Sequence, residues 1–223
     1  MSRTSAAVIV SCAMAEEVRP FVDALPERTG AQPPTLPGSA QAWSLQLPGG
    51  ERELILVRSG IGLVAAASAL AAVLTQVRPG TVVSAGTTGG LGRQVQVGDV
   101  CASANLAYTD ADATAFGYVR GQTPGQPETF AGDPALLERL EQVGPEALRD
   151  ATASSDSAHL HVGQMLAGSS FVTAANVADT REVFPAALST DMESTALAQV
   201  AASADLPFVS VRGVSDLCGP EAG

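Results

Sequence analysis

Basic residues are scarce in this chain: Lys and Arg together number 12 against 23 Asp and Glu, a formal charge of -11. A duplex-binding surface needs a dense Lys/Arg footprint, so nucleic acid is excluded as a partner and a small or electroneutral ligand is favoured. Cysteine is almost missing. Cys12, Cys101 and Cys218 are odd in number, far apart and set in apolar surroundings, which suggests neither a disulfide framework nor a zinc site and points to a reducing, cytoplasmic compartment. No apolar run is long enough to span a bilayer, so no membrane partner is expected. The opening MSRTSAAVIVSCAMA places Arg3 before a short apolar run and imitates a leader peptide. AAVIVSCAM followed at once by acids is better read as a buried first strand running into a first helical turn.

What is present fits one compact domain over residues 1–223. Hydrophobic residues make up 46% of the chain, and 22 glycines and 14 prolines punctuate it without any repeat. Apolar β-type runs fall at 6–12, 53–58, 80–85, 97–107, 159–167 and 207–212. Several are continuous rather than alternating, as strands buried on both faces are. Helical stretches at 15–25, 62–77, 134–143, 175–183 and 192–204 lie between them. This alternation predicts an α/β layered sheet. The stretch 26–41, rich in Pro and Gly, reads as a surface loop. A second irregular segment, 109–130, holds Phe116, Tyr118 and Phe130 in a chain with few aromatics, the mark of a functional or partner-covered loop.

Ligands of open α/β sheets sit beyond the carboxyl ends of the strands, and acids stand at three such ends. Glu16 and Glu17 follow the first strand, Asp191 and Glu193 follow LST, and Asp216 follows PFVSVRGVS. Each has a structural explanation taken singly. Thr190-x-x-Glu193 fits a capping box, Glu16 and Glu17 suit a helix start, and Asp216 could cap whatever comes next. Taken together they call for another reason, because separate elements each bring a carboxylate to one edge of the sheet. Between them SAGTTGGLG, 84–92, reads as a strand entering a glycine-rich turn that a ligand could approach closely.

The motifs AMAEEVRPF, RSGIGLVAAA, SAGTTGGL, VGDVCAS, TDADATAFGY, STDMESTALAQV and VRGVSD follow one another as in bacterial 5′-methylthioadenosine/S-adenosylhomocysteine nucleosidases. That family lies within the purine nucleoside phosphorylase and uridine phosphorylase superfamily, and the resemblance covers roughly residues 6 to 222. It implies a three-layer α/β/α sandwich around a central mixed sheet, acting as a homodimer without metal or organic cofactor. By the same resemblance Glu17 matches the residue that activates the attacking water, Asp216 the general acid at adenine N7, and Glu193 the ligand of the ribose hydroxyls. Ser215 and Arg212 support the site, and Met192 packs on the sugar and the 5′ substituent. Thr87, Thr88 and Gly89 match the segment beside sugar and base, Phe171 and Val172 the adenine pocket, and Ile61 the 5′-alkylthio pocket. Ala113, Phe116 and Pro124 match positions that reach a neighbour's site in the dimer.

Those roles suit the chemistry. Cleaving an N-glycosidic bond develops positive charge on the ribose, which a carboxylate beside O2′ and O3′ stabilises more in the transition state than in the ground state. Adenine leaves well only once protonated, and water must be aimed at C1′. Glu17 also favours water over phosphate: two unit charges 4 Å apart repel by about 4 kcal/mol at an effective dielectric of 20. Where the chain departs from the family, Ala15 replaces a third acid, Thr88 a smaller residue, and Asp191 a common glutamate whose role is open. The family's final helix is expected to be absent after Gly223. A futalosine-type hydrolase, a phosphate-dependent phosphorylase and a non-catalytic nucleoside-binding module stay open as alternatives.

Overall fold

The computed structural model describes residues 7–50, 52–149, 151–152 and 155–219. Arg3 of the leader-like stretch, the first residue of the run 6–12 and the last four residues of the chain lie outside them.

The elements run β1 (Val8–Cys12), α1 (Ala15–Ala24), β2 (Gln41–Gln46), β3 (Glu53–Arg58), α2 (Leu63–Leu74), β4 (Thr81–Gly90) and β5 (Val100–Tyr108). After a short 3₁₀ turn at Thr114–Phe116 come β6 (Phe130–Ala131), α3 (Pro134–Leu148), β7 (Leu160–Ala167), α4 (Val177–Val183), β8 (Ala187–Asp191), α5 (Ser194–Ser203) and β9 (Phe208–Asp216). The strands form one mixed sheet in the order β2-β3-β1-β4-β8-β7-β5-β6, with β9 paired to both β4 and β5. The pairings β4–β8, β8–β7, β7–β5, β5–β9 and β9–β4 return to their start, so this part of the sheet is curled shut while β1, β2 and β3 extend it at one side.

Successive strand side chains point to opposite faces, and the packing follows that rule. Ile9 of β1 with Ile55 and Val57 of β3 join Ala66, Leu70 and Val73 of α2 and Leu197 and Ala201 of α5 in one core. Val10 and Cys12 with Leu54 and Leu56 pack on Val18 of α1 across the sheet. Met165 and Leu166 divide in the same way, the first into the α2/α5 core and the second into a cluster with Val177 of α4. This is the expected α/β/α layering. Each fully buried Leu or Ile here contributes roughly 1.5–3 kcal/mol of apolar transfer.

Three local expectations change. TTGG is strand and not turn: β4 runs without interruption to Gly90, with a register slip against β9 between Thr88 and Gly89, where the pairing with β8 begins. β2, β6 and β8 are strands that the apolar runs did not announce. The cap of α5 is Asp191 rather than Thr190, whose carbonyl instead accepts from the Thr88 hydroxyl at 2.9 Å.

Candidate active site

The turn between β8 and α5 builds one wall of a cleft. Asp191 ends the strand, and its Oδ1 accepts from the amides of Glu193 and Ser194 at 2.8 and 2.7 Å, donors that a helix start otherwise leaves unpaired. This aims the Glu193 side chain inward. Glu193 Oε1 accepts from the Gly62 amide at the head of α2, 2.9 Å away, and Oε2 lies 3.2 Å from Arg212 Nη1. Only 4% of Glu193 is exposed. Burial pushes its pKa up, the Arg212 charge pulls it back, and the neighbouring Asp191 and Glu17 carboxylates push it up further, leaving it above the ordinary carboxylate range.

Arg212 comes from β9 and is also buried. Nη1 donates to the Thr87 carbonyl and Nη2 to the Ser84 hydroxyl, each at 2.9 Å, while Nε faces Asp191 Oδ2 at 3.4 Å. Burial works against this charge, but the surrounding Asp191, Glu193 and Glu17 carboxylates outweigh it and hold the guanidinium pKa above its usual value.

Glu17 is the third residue of α1, in its first turn, and bridges two elements. Its Oε2 accepts from the amides of Ala13 and Met14 at 2.8 and 3.0 Å, and its Oε1 from the amide and hydroxyl of Thr87 at 2.8 and 3.1 Å. It therefore caps α1 and ties that helix to β4. The strand admits the carboxylate so closely because residue 86 is glycine: a Cβ there would lie 2.4 Å from Glu17 Oε1, on backbone with φ +153°.

On the far wall, β9 ends in Ser215 and Asp216, both exposed. The Ser215 hydroxyl donates to Asp216 Oδ2 at 2.9 Å and the Cys218 amide to Oδ1 at 2.8 Å. Gly89 lies beneath: a Cβ there would strike Cys218 Sγ and stand 3.4 Å from Asp216 Oδ1. The 168–176 loop brings in Phe171 and Val172, with the Phe171 carbonyl held by Asn176 at 3.1 Å and its ring 71% exposed over the opening. Ile61 and Met192 supply apolar surface at the α2 and α5 side.

One cleft thus gathers Glu17, Ile61, Thr87, Thr88, Gly89, Phe171, Val172, Met192, Glu193, Arg212, Ser215 and Asp216. The three positions assigned to a dimer partner do not join it within one chain. Ala113 is buried in the 109–130 loop, while Phe116, 83% exposed, and Pro124 face outward from it. Ala13, Met14, Ser170, Thr190 and Cys218 also line the cleft, though sequence reading assigns none of them a place in the site. Ala13, Met14 and Cys218 act through backbone amides, which side-chain chemistry does not reveal; the only trace was that two of them precede Glu17 at a helix start. Among the described residues no group of three His, Cys, Asp or Glu side chains is arranged to hold a metal ion.

Carboxylates on opposite walls, a glycine-lined strand between them and a buried arginine behind are the equipment of an enzyme that works on a small polar ligand. The model of the phosphorylase superfamily matches residues 7–223. A 5′-methylthioadenosine/S-adenosylhomocysteine nucleosidase of Staphylococcus aureus is 37% identical over 173 residues, 77% of this chain and 72% of that one. The nucleosidase of that name from Neisseria meningitidis, solved in complex with methylthio-immucillin-A, superposes with a TM-score of 0.84 at 32% identity, covering 96% of this chain and 87% of its own. The Colwellia psychrerythraea nucleosidase in complex with adenine gives 0.85 at 30% identity, with 96% and 84% covered. The chain belongs to the 5′-methylthioadenosine/S-adenosylhomocysteine nucleosidase family of this superfamily.

Proposed function

We propose that the protein hydrolyses the N-glycosidic bond of 5′-methylthioadenosine and S-adenosylhomocysteine, releasing adenine and the 5-thioribose product. Glu17 aims and deprotonates water at C1′, Asp216 protonates N7 of the leaving base, and Glu193 binds O2′ and O3′ and stabilises the charge that grows on the ribose. Phe171 and Val172 flank the base, and Met192 with Ile61 takes the 5′ substituent.

The observation that carries the hydrolytic reading is the setting of Glu17. Amide donors at Ala13, Met14 and Thr87 converge on its carboxylate, so the donors that could cradle an incoming oxyanion are already engaged by a fixed negative charge. A phosphate dianion would meet repulsion of several kcal/mol there. Water meets none.

The protein works as a single domain and a homodimer on this reading, in a reducing cytoplasm. Exposed Ile61, Val64, Phe116 and Val119 support a covered face, and Ala113, Phe116 and Pro124 are its contributions to the partner's cleft. No helix among the described residues is long and apolar enough to cross a membrane.

Adenine release from both nucleosides in phosphate-free buffer, followed by chromatography, tests the proposal. Asp216→Asn and Glu17→Gln should each lower kcat by roughly 10²–10⁴. Strict dependence on added phosphate, or release of hypoxanthine in preference to adenine, overturns it.

A further inference from the structure

Asp191 is the one acid of the cleft for which neither the resemblance nor the mechanism above supplies a task, and it is too well connected to be a bystander. Its side chain is 2% exposed. Oδ1 takes the Glu193 and Ser194 amides, and Oδ2 takes the Ser194 hydroxyl at 2.6 Å while facing Arg212 Nε at 3.4 Å. That Nε has no hydrogen-bond partner, so Asp191 is the group set against this side of the buried guanidinium. Arg212 in turn reaches Glu193 Oε2 at 3.2 Å. Asp191 therefore grips both ends of Glu193: the backbone directly, the carboxylate through Arg212.

We propose, on the reading of Glu193 as the ribose ligand, that Asp191 is its positioning residue, neutralising Arg212 so that the Glu193 charge stays available to the sugar. The groups facing Glu193 are Arg212 from β9, Asp191 from β8, Glu17 from α1 and the Gly62 amide before α2. With Asp191 ionised, the guanidinium has a counter-charge of its own, and Glu193 presents unspent negative charge where positive charge develops. With Asp191 neutral, Arg212 has Glu193 as its nearest remaining counter-ion. Glu193 is then drawn toward Arg212, and its field at the ribose is partly cancelled. This loss bears on the transition state more than on the bound substrate.

Asp191→Asn separates the two functions, since an amide oxygen still accepts from the Glu193 and Ser194 amides but the charge is gone. The expected result is a fall in kcat of roughly tenfold to a hundredfold with a smaller change in KM. The acid limb for binding of a non-hydrolysable adenosine analogue should also move to lower pH, because one neighbour that raises the Glu193 pKa has been removed. Asp191→Glu restores the charge and should recover the wild-type acid limb and most of kcat. A folded Asp191→Asn with wild-type kcat and an unmoved limb, or an Asp191→Glu as impaired as Asp191→Asn, overturns the proposal. If Asp191→Asn melts below the assay temperature, Asp191→Glu decides: kcat within about threefold of wild type supports the charge role, and a hundredfold loss refutes it. The binding limb tests Asp191 even if the wild-type protein releases no adenine, an outcome that would reject the nucleosidase reading alone.

Discussion

Glu193 and Asp99 are both buried carboxylates, at 4% and 3% exposure, yet their surroundings displace them in opposite directions. Asp99 sits in the turn before β5 and takes the amides of Gln96 and His159 and the imidazole Nε2 of His161, at 2.9, 2.8 and 2.8 Å. Burial alone would raise its pKa, but these donors outweigh burial and hold it below the ordinary value. Glu193 receives one backbone amide and shares one arginine with two other acids. Its charge is left short of partners. A buried acid that has spent its charge on donors holds structure together, whereas one kept short of them stays ready for a ligand that brings charge of its own.

The comparison is broken most severely by Glu193→Gln, which should cut kcat for adenine release by roughly 10²–10³ while the fold persists. A smaller loss in steady-state kinetics would place the negative charge of the sugar site elsewhere. Asp99→Ala should leave kcat of the folded protein near wild type and cost stability instead. Stranding the Gln96 and His159 amides and the His161 ring is expected to cost about 2 kcal/mol, a fall in melting temperature of about 4–8 °C for a chain of this length. Equal damage to kcat and melting temperature in Asp99→Ala would erase the distinction.

The smallest effect is one of sign, read from melting temperature against pH. Glu193 has a raised folded pKa, so its relative stabilisation is complete below the unfolded value and is lost as pH rises through the folded one. Glu193→Gln escapes that loss and should melt slightly higher than wild type at neutral pH, the two converging in acid. Asp99 has a depressed folded pKa, so its stabilisation is present above the unfolded value and is lost as pH falls through the folded one. The deficit of Asp99→Ala should accordingly shrink in acid. Calorimetric scans in which both variants gain, or both lose, melting temperature relative to wild type as pH rises contradict this assignment.

Much of this arrangement is legible in sequence, and the exceptions have physical causes. The run ELILVR coincides with β3 because its apolar residues are buried against neighbours on both sides. QAWSLQ escapes notice as β2 because it is an edge strand whose polar residues break up any continuous apolar run without a clean alternation. ALSTD escapes as β8 because Ser189, Thr190 and Asp191 are buried polar residues, and Thr190 and Asp191 are bonded across to Thr88 and into the start of α5. TTGG imitates a turn because glycine is read as a breaker. In this place it answers to crowding, from Cys218 at Gly89 and from Leu217 at Gly90, as Gly86 just before it answers to Glu17. Strand-end acids could be picked out from position alone. Arg212 entered through family resemblance, and the amides of Ala13, Met14 and Cys218 left no side-chain signature at all.

The register slip at Thr88 and Gly89 falls where β4, still paired with β9 at Gly89, takes β8 as a second partner. Thr87, on one side of that slip, fixes the direction of Glu17; Gly89, on the other, lies between Thr190 of β8 and Asp216 of β9. The spacing between Glu17 and Asp216 is thereby set by nearby residues of one strand. On the proposed mechanism, thermal breathing that slides one layer past the other would carry the water-activating Glu17 and the acid Asp216 along together, so their relative aim should outlast motions that widen the mouth of the cleft.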